Sequence, residues 1–200
     1  NSGKPDFPFC LGWANHSWTN KSWEVGTRQQ KEMTLMQMVY NEDEYIKHFY
    51  DVLPALKDKR YITVDNKPLF LVWSPTDIPS ANTFIQLWQQ LAKENGLNGI
   101  HFVGIQQSIT NDNIRLRDLL FKRIPNQAAK IYQHILELGF DAVNSRGYNR
   151  ADICCRTLWD IIYRAITIRL FKYYPISKCD QRQINRHLYS QEDTQENVYP

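Results

Sequence analysis

The amino-acid sequence predicts an α/β fold: parallel strands with outer helices, about four β-α units of a (β/α)8 TIM-like barrel. Three observations carry this expectation. Short apolar runs alternate with segments of helical periodicity, the order that builds a parallel sheet covered by helices. The 200 residues hold four such units, whereas a closed eight-unit barrel usually needs about 250, so the barrel is incomplete. An open doubly wound sheet competes with it. Its dinucleotide-binding version has no support, because the chain has only eight glycines and no GxGxxG after any strand.

The elements follow in order. The run Phe9-Cys10-Leu11-Gly12 suits a strand buried on both faces and ending near Trp13. A long polar loop then reaches about Tyr40. Asn41 can cap the next helix, with Glu44 three residues on in a capping-box pattern. Tyr45, Phe49, Val52, Leu53 and Leu56 share one face of that helix, and Pro54 should kink or end it. Two short β runs flank Asp65-Asn66-Lys67, where Asn66 suits the positive φ of a tight turn. The second run, Pro68 to Trp73, is an apolar barrel-type strand.

A helix from about Asn82 to Asn95 turns Phe84, Leu87, Trp88 and Leu91 inward, and Gly96 terminates it. Ile100 to Ile105 is a third strand. The segment Gln127 to Leu138 is a helix with Ala128, Ile131, Ile135 and Leu138 on one side, stopped by Gly139. Phe140 to Val143 is a fourth strand, and Thr157 to Tyr173 a last helix. Residues 1–178 form the barrel domain; 179–200 read as a polar loop or disordered tail.

Bulk properties narrow the function. The net charge is +3 and the basic residues are dispersed, which argues against a nucleic-acid partner. They are densest from Arg164 to Arg186, read as a solvated helix face followed by a loop. The most apolar stretch, Leu158 to Phe171, is too short to cross a membrane and is broken by Asp160, Arg164 and Arg169. The opening NSGKPDFPF has no signal-peptide character. The four cysteines, Cys10, Cys154, Cys155 and Cys179, lack zinc-like spacing and read as buried thiols. A reducing, cytoplasmic location is expected.

Chemistry in parallel α/β folds gathers at the carboxyl ends of the strands. Those ends read Trp13-Asn15-His16-Trp18, then Trp73-Ser74, Gln106-Gln107-Ser108 and Asn144-Ser145-Arg146. Indole faces pack on the C–H face of a sugar ring, and amides pair with its hydroxyls. The residue types therefore point to glycan binding. Glycosidic hydrolysis usually needs two carboxylates across the scissile bond. Glu24, Glu32, Asp77 and Asp112 lie in loops, none first out of a strand, so the catalytic residues are unassigned. No Asp-x-Asp metal element ends a strand; Glu42-Asp43-Glu44 copies the spacing at a helix N-terminus, where the dipole favours acids. No metal or cofactor is expected.

Several segments together resemble the WbsX-type glycosyltransferases of bacterial surface-polysaccharide gene clusters, grouped with family 99 glycoside hydrolases as a related domain. They are FCLGWANHSWTNKSW (Phe9–Trp23), Gln37 to Tyr40, Glu42–Pro75, and GLNGIHFVGIQ from Gly96 to Gln106. The resemblance implies a (β/α)8 barrel acting on mannose-like or other glycosidic substrates. It implies that Trp13, Asn15 and Trp18 line a sugar site with Gln37 and Tyr40 near it. Asp58, Arg60 and Lys67 also match and read as structural, since a helix-to-strand corner at the amino end of the barrel is far from catalysis. The family pattern often has an acid where this chain has His16. Its later Trp-Asn-Glu-Trp element does not occur in residues 1–200, so catalytic carboxylates are expected outside them.

The expectation is thus a glycan-active segment of lipopolysaccharide or capsule synthesis, glycosyltransferase or hydrolase-like and inactive alone. Substrate contacts are expected from Trp13, Asn15, His16, Trp18, Gln37, Tyr40, Gln106 and Asn144. A non-catalytic carbohydrate-binding or scaffold module is the alternative, and a metal-dependent nucleotide-sugar transferase a third. Open strand edges predict self-association.

Overall fold

The computed structural model describes residues 6–19, 34–105, 124–145, 147, 151, 155–171, 180–189 and 191–199. It is mixed α/β, with parallel strands and helices, and divides into two compact units. The first is Asn1–Ile105 with Glu137–Asp141; the second is Gln106–Leu136 with Ala142–Pro200.

In the first unit, β1 (Leu11–Trp13) runs parallel to β5 (Lys67–Val72), which runs parallel to β6 (His101–Ile105). The register places Trp13 opposite Val72 and Val72 opposite Gly104, so the carboxyl ends of all three strands share one edge. Helix α1 (Glu42–Leu56) starts where the sequence predicts. The Asn41 side chain accepts from the Glu44 N–H at 2.8 Å, and three acids occupy the first turn. Pro54 lies in the last turn, where the helix ends two residues later. A two-residue turn joins β4 (Thr63–Val64) to β5. Both Asp65 (φ 49) and Asn66 (φ 60) are left-handed, as the hairpin turn of that length demands.

Helix α2 (Ala81–Glu94) ends on Gly96, at φ +80. The Gly96 N–H donates to the Lys93 carbonyl and the Leu97 N–H to the Ala92 carbonyl. Its inward face is Phe84, Ile85, Trp88, Leu91 and Ala92, with the expected Leu87 half-buried beside it. Trp88 is the centre of the core. Phe49, Phe70, Phe84 and Phe102 lie around its ring at centroid distances of 4.9–6.0 Å. Its indole N–H donates to the Tyr45 carbonyl at 3.0 Å, so the buried polar atom is satisfied.

The polar loop expected between Trp13 and Tyr40 contains a two-stranded antiparallel ribbon, β2 (Trp18–Thr19) with β3 (Thr34–Met36). This corrects the loop reading. The partners are far apart in sequence, so no short-range alternation announces the ribbon.

In the second unit, β7 (Ala142–Asn144) pairs in parallel with β8 (Val198–Tyr199). Helix α3 (Ile124–Glu137) buries Tyr132 and Ile135, and the Tyr132 hydroxyl donates to the Ser145 carbonyl at 3.1 Å. Helix α4 (Leu158–Phe171) begins with a reciprocal cap: Asp160 N donates to Thr157 Oγ1, and Thr157 N donates to the Asp160 carboxylate. Residues after 178, read as loop or disordered, carry α5 (Gln181–His187), a 3-10 turn (Gln191–Thr194) and β8. Asp180 caps α5 by accepting from Arg182 N at 2.9 Å, and buried Ile184 anchors it. Among the described residues, no helix is long and apolar enough to cross a membrane.

Candidate functional site

The candidate site is the shared carboxyl edge of β1 and β5 in the first unit. Two loops leave this edge, and one side chain ties them together. Asn15 has no exposed surface. Its Nδ2 donates to the Ser74 carbonyl at 2.8 Å, and its Oδ1 accepts from the Ser74 N–H at 2.7 Å. Next to this, the Trp73 N–H donates to the Trp13 carbonyl at 3.0 Å, extending the β1–β5 ladder by one rung. The Ser74 carbonyl also takes the Asp77 N–H at 3.1 Å, closing a 3-10 turn over Pro75–Asp77.

Tyr40 fastens the same loop from the other side, its hydroxyl donating to the Asn15 carbonyl. Burial first, and then the negative charge of Asp77, raise the Tyr40 phenol above its ordinary range. The Ser17 hydroxyl accepts from Met38 N at 3.0 Å, joining the β1 loop to the segment after β3. His16 N donates to the Ala14 carbonyl at 2.9 Å, a tight local bend. The loop is therefore held at Asn15, His16 and Ser17 by bonds that leave the His16 imidazole exposed.

Trp13 is half-buried at the base of this edge, with ring centroids of His48 at 5.1 Å, Phe84 at 5.2 Å and Tyr40 at 6.3 Å. Its neighbours are aromatic. Burial depresses the His48 imidazole below its ordinary value, partly opposed by Asp51, so the ring stays neutral inside the cluster. Trp18, by contrast, is 52 % exposed and stands opposite Met36 in the ribbon.

The expected site residues therefore separate. Trp13, Asn15, Tyr40, His16 and Trp18 gather in one loop system. Asn15, expected as a free amide for a ligand, is instead a buried lock whose two ends are taken by one backbone residue. Gln37 is exposed, its Nε2 donating to the Met38 carbonyl at 3.5 Å. Gln106 lies outside the described residues. Asn144 ends β7 in the second unit, half-buried and in register with Tyr199. Asp77 was passed over because it is not the first residue out of a strand. The turn after β5 carries it to the Tyr40 phenol, and the Ser-Pro-Thr-Asp sequence was its signal.

At the amino end of β1, Asp58 and Arg60 pair at 2.7 Å, and the guanidinium stacks over the Phe9 ring at 5.6 Å. Those bonds hold Asp58 well below the usual carboxylate range. Among the described residues, no three His, Cys, Asp or Glu side chains are grouped to hold a metal ion.

The first unit thus presents a parallel sheet whose β1 and β5 carboxyl ends are bonded together beside an aromatic cluster. The family model described as "Glycosyltransferase WbsX" matches residues 1–200, and the chain belongs to that family. It is also similar to two proteins named "Uncharacterized protein WxcX", from Xanthomonas campestris pv. campestris strains B100 and ATCC 33913. Each is 26 % identical over 99 residues, half of this chain and 14 % of the relative. The match thus spans about one seventh of the length of those relatives. No solved structure matches the chain.

Proposed function

We propose that this chain is a glycan-binding segment of an enzyme of bacterial surface-polysaccharide biosynthesis, a glycosyltransferase or a family-99-like glycosidase, acting in the cytoplasm. One observation carries the reading: the Asn15–Ser74 lock and the Tyr40 bond fix the β1 loop while leaving Trp18 and His16 in solvent. An exposed indole and an exposed imidazole on an anchored loop offer a sugar one apolar face and one hydrogen-bonding edge with little backbone ordering to be done on binding. Membership of the glycosyltransferase family supports a sugar as the occupant.

In this reading Trp18, His16 and Gln37 contact the sugar, Trp13 forms its floor, and Asn15 and Tyr40 position the loop. Gln106 and Asn144 are assigned to substrate contact from the sequence alone. Asp77 is the carboxylate on this rim; the acid–base pair itself is assigned to carboxylates beyond residues 1–200. The parallel order of β1, β5 and β6 supports placing them in a (β/α)8 barrel whose domain covers residues 1–178. In the described strands β1 pairs laterally with β5 alone and β8 with β7 alone, which supports self-association through those edges.

The test is saturation-transfer NMR with a panel of monosaccharides that includes mannosides. Trp18→Ala should weaken binding about fivefold, the equivalent of about 1 kcal/mol for a lost aromatic face, with no change in melting temperature. Unchanged binding in both Trp18→Ala and His16→Ala would remove the sugar from this rim.

A further inference from the structure

Helix α4 in the second unit holds four large apolar side chains in water. Trp159 is 79 % exposed, Tyr163 58 %, Ile166 48 % and Leu170 68 %. Steps of four, three and four residues align them as one stripe along the helix. Scattered exposed apolar residues are ordinary, but a continuous stripe headed by Trp and Tyr marks a contact surface.

The charge of the flanking sequence says what the contact is. From Arg164 to Arg186 the sequence holds six Lys or Arg and a single acid, Asp180, a local surplus larger than the +3 of the whole chain. Within the helix, Arg169 is exposed in the last turn. The helix's one acid, Asp160, is held at its start by Thr157, whose Oγ1 and N donate to it at 2.6 and 3.0 Å. An apolar stripe in a stretch of sequence rich in Lys and Arg suits anionic lipid headgroups, and Trp and Tyr rings favour the headgroup layer. The 14 residues extend about 21 Å, short of a hydrocarbon core of about 30 Å, so the helix lies in the surface and does not cross it. A second copy of the chain on the same stripe would bring like charges together.

We propose that α4 docks on an anionic lipid bilayer surface through Trp159, Tyr163, Ile166 and Leu170. The proposal concerns the second unit and stands whether or not the β1 rim binds sugar. The test is flotation of the 200-residue chain with phosphatidylcholine vesicles, with and without phosphatidylglycerol. Binding should be at least roughly tenfold stronger with the anionic lipid and should weaken with salt. Trp159→Ser combined with Leu170→Ser should lower it roughly tenfold with an unchanged circular-dichroism spectrum, since both residues are exposed. Arg169→Glu, which leaves the apolar stripe intact, should reduce the preference for phosphatidylglycerol. Equal weak binding to both vesicles, or full binding by the double variant, overturns the proposal. So does a dimer in light scattering that the double variant disperses while vesicles are ignored, because the stripe then belongs to a second copy.

Discussion

Replacing Asn15 by alanine tests the frame on which the site depends. The side chain is fully buried and serves both backbone polar groups of Ser74, the N–H at 2.7 Å and the carbonyl at 2.8 Å. Its loss leaves the N–H without that acceptor, while the carbonyl keeps the Asp77 N–H at 3.1 Å. Losing the hydrogen bond to this buried N–H costs about 1–3 kcal/mol, and the weakened carbonyl adds about 1 kcal/mol. The expected loss is about 3 kcal/mol, which in a chain of this size lowers Tm by about 6–12 °C. The assay is thermal and urea unfolding of wild type, Asn15→Ala and Asn15→Asp. The aspartate variant sharpens the test. Its carboxyl copies the amide only while protonated, when the O–H can donate to the Ser74 carbonyl. As a carboxylate it accepts from the N–H but faces that carbonyl with a second charge-bearing oxygen. Asn15→Asp should therefore approach wild-type stability as pH falls and diverge from it as pH rises. An Asn15→Ala protein within about 0.5 kcal/mol of wild type, the range of ordinary surface changes, would show that the lock does not hold the loop.

Tyr61→Phe removes a hydroxyl that accepts from Leu11 N and donates to the Leu69 carbonyl, each at 2.9 Å, and should destabilise by about 1–3 kcal/mol in urea unfolding. Burial pushes the Tyr61 phenol up to about 12. The folded state thus resists ionisation, so its stability is intact below about pH 10 and declines as pH climbs toward 12. Tyr61→Phe should lack that decline. Gly99→Ala should cost about 2–3 kcal/mol. A Cβ there, at φ +107, would stand 2.5 Å from Gln89 Oε1, the atom that accepts from Ile100 N while Gln89 Nε2 donates to the Ile100 carbonyl. For His48, burial keeps the folded imidazole neutral, whereas the unfolded chain takes up a proton near pH 6.5. Stability should fall as pH drops through that value, and His48→Leu should flatten the fall.

What the sequence disclosed is what near neighbours decide. The Asn41–Glu44 cap, the Asp65-Asn66 turn and the Gly96 stop are each settled within a few residues, and each forms as read. The parallel strands were legible as apolar runs for the same reason. The β2–β3 ribbon was not, because Trp18 meets Met36 across a long connection and neither strand exceeds three residues. The Asn15 lock was not legible for a related cause: its partner Ser74 is 59 positions away, and an amide beside two tryptophans looks the same whether it faces a ligand or a backbone. Asp77 was undervalued because a rule that looks only at the first residue beyond a strand misses what a following turn returns to the edge.

This sorting of the rim bears on how the site is to be probed. Trp13, Asn15 and Tyr40 spend their polar or aromatic surface on the protein itself, while His16, Trp18 and Gln37 keep theirs in solvent. Substitutions in the inner set should lower stability and ligand binding together, since they release the loop. Substitutions in the outer set should lower binding alone. A ligand that bound elsewhere would respond to neither set beyond the stability effect, so the contrast between Asn15→Ala and Trp18→Ala separates a sugar site built on this edge from a loop that is merely well anchored. If Asn15→Ala loses stability and keeps full affinity, the lock serves the fold and the ligand lies away from the β1 loop.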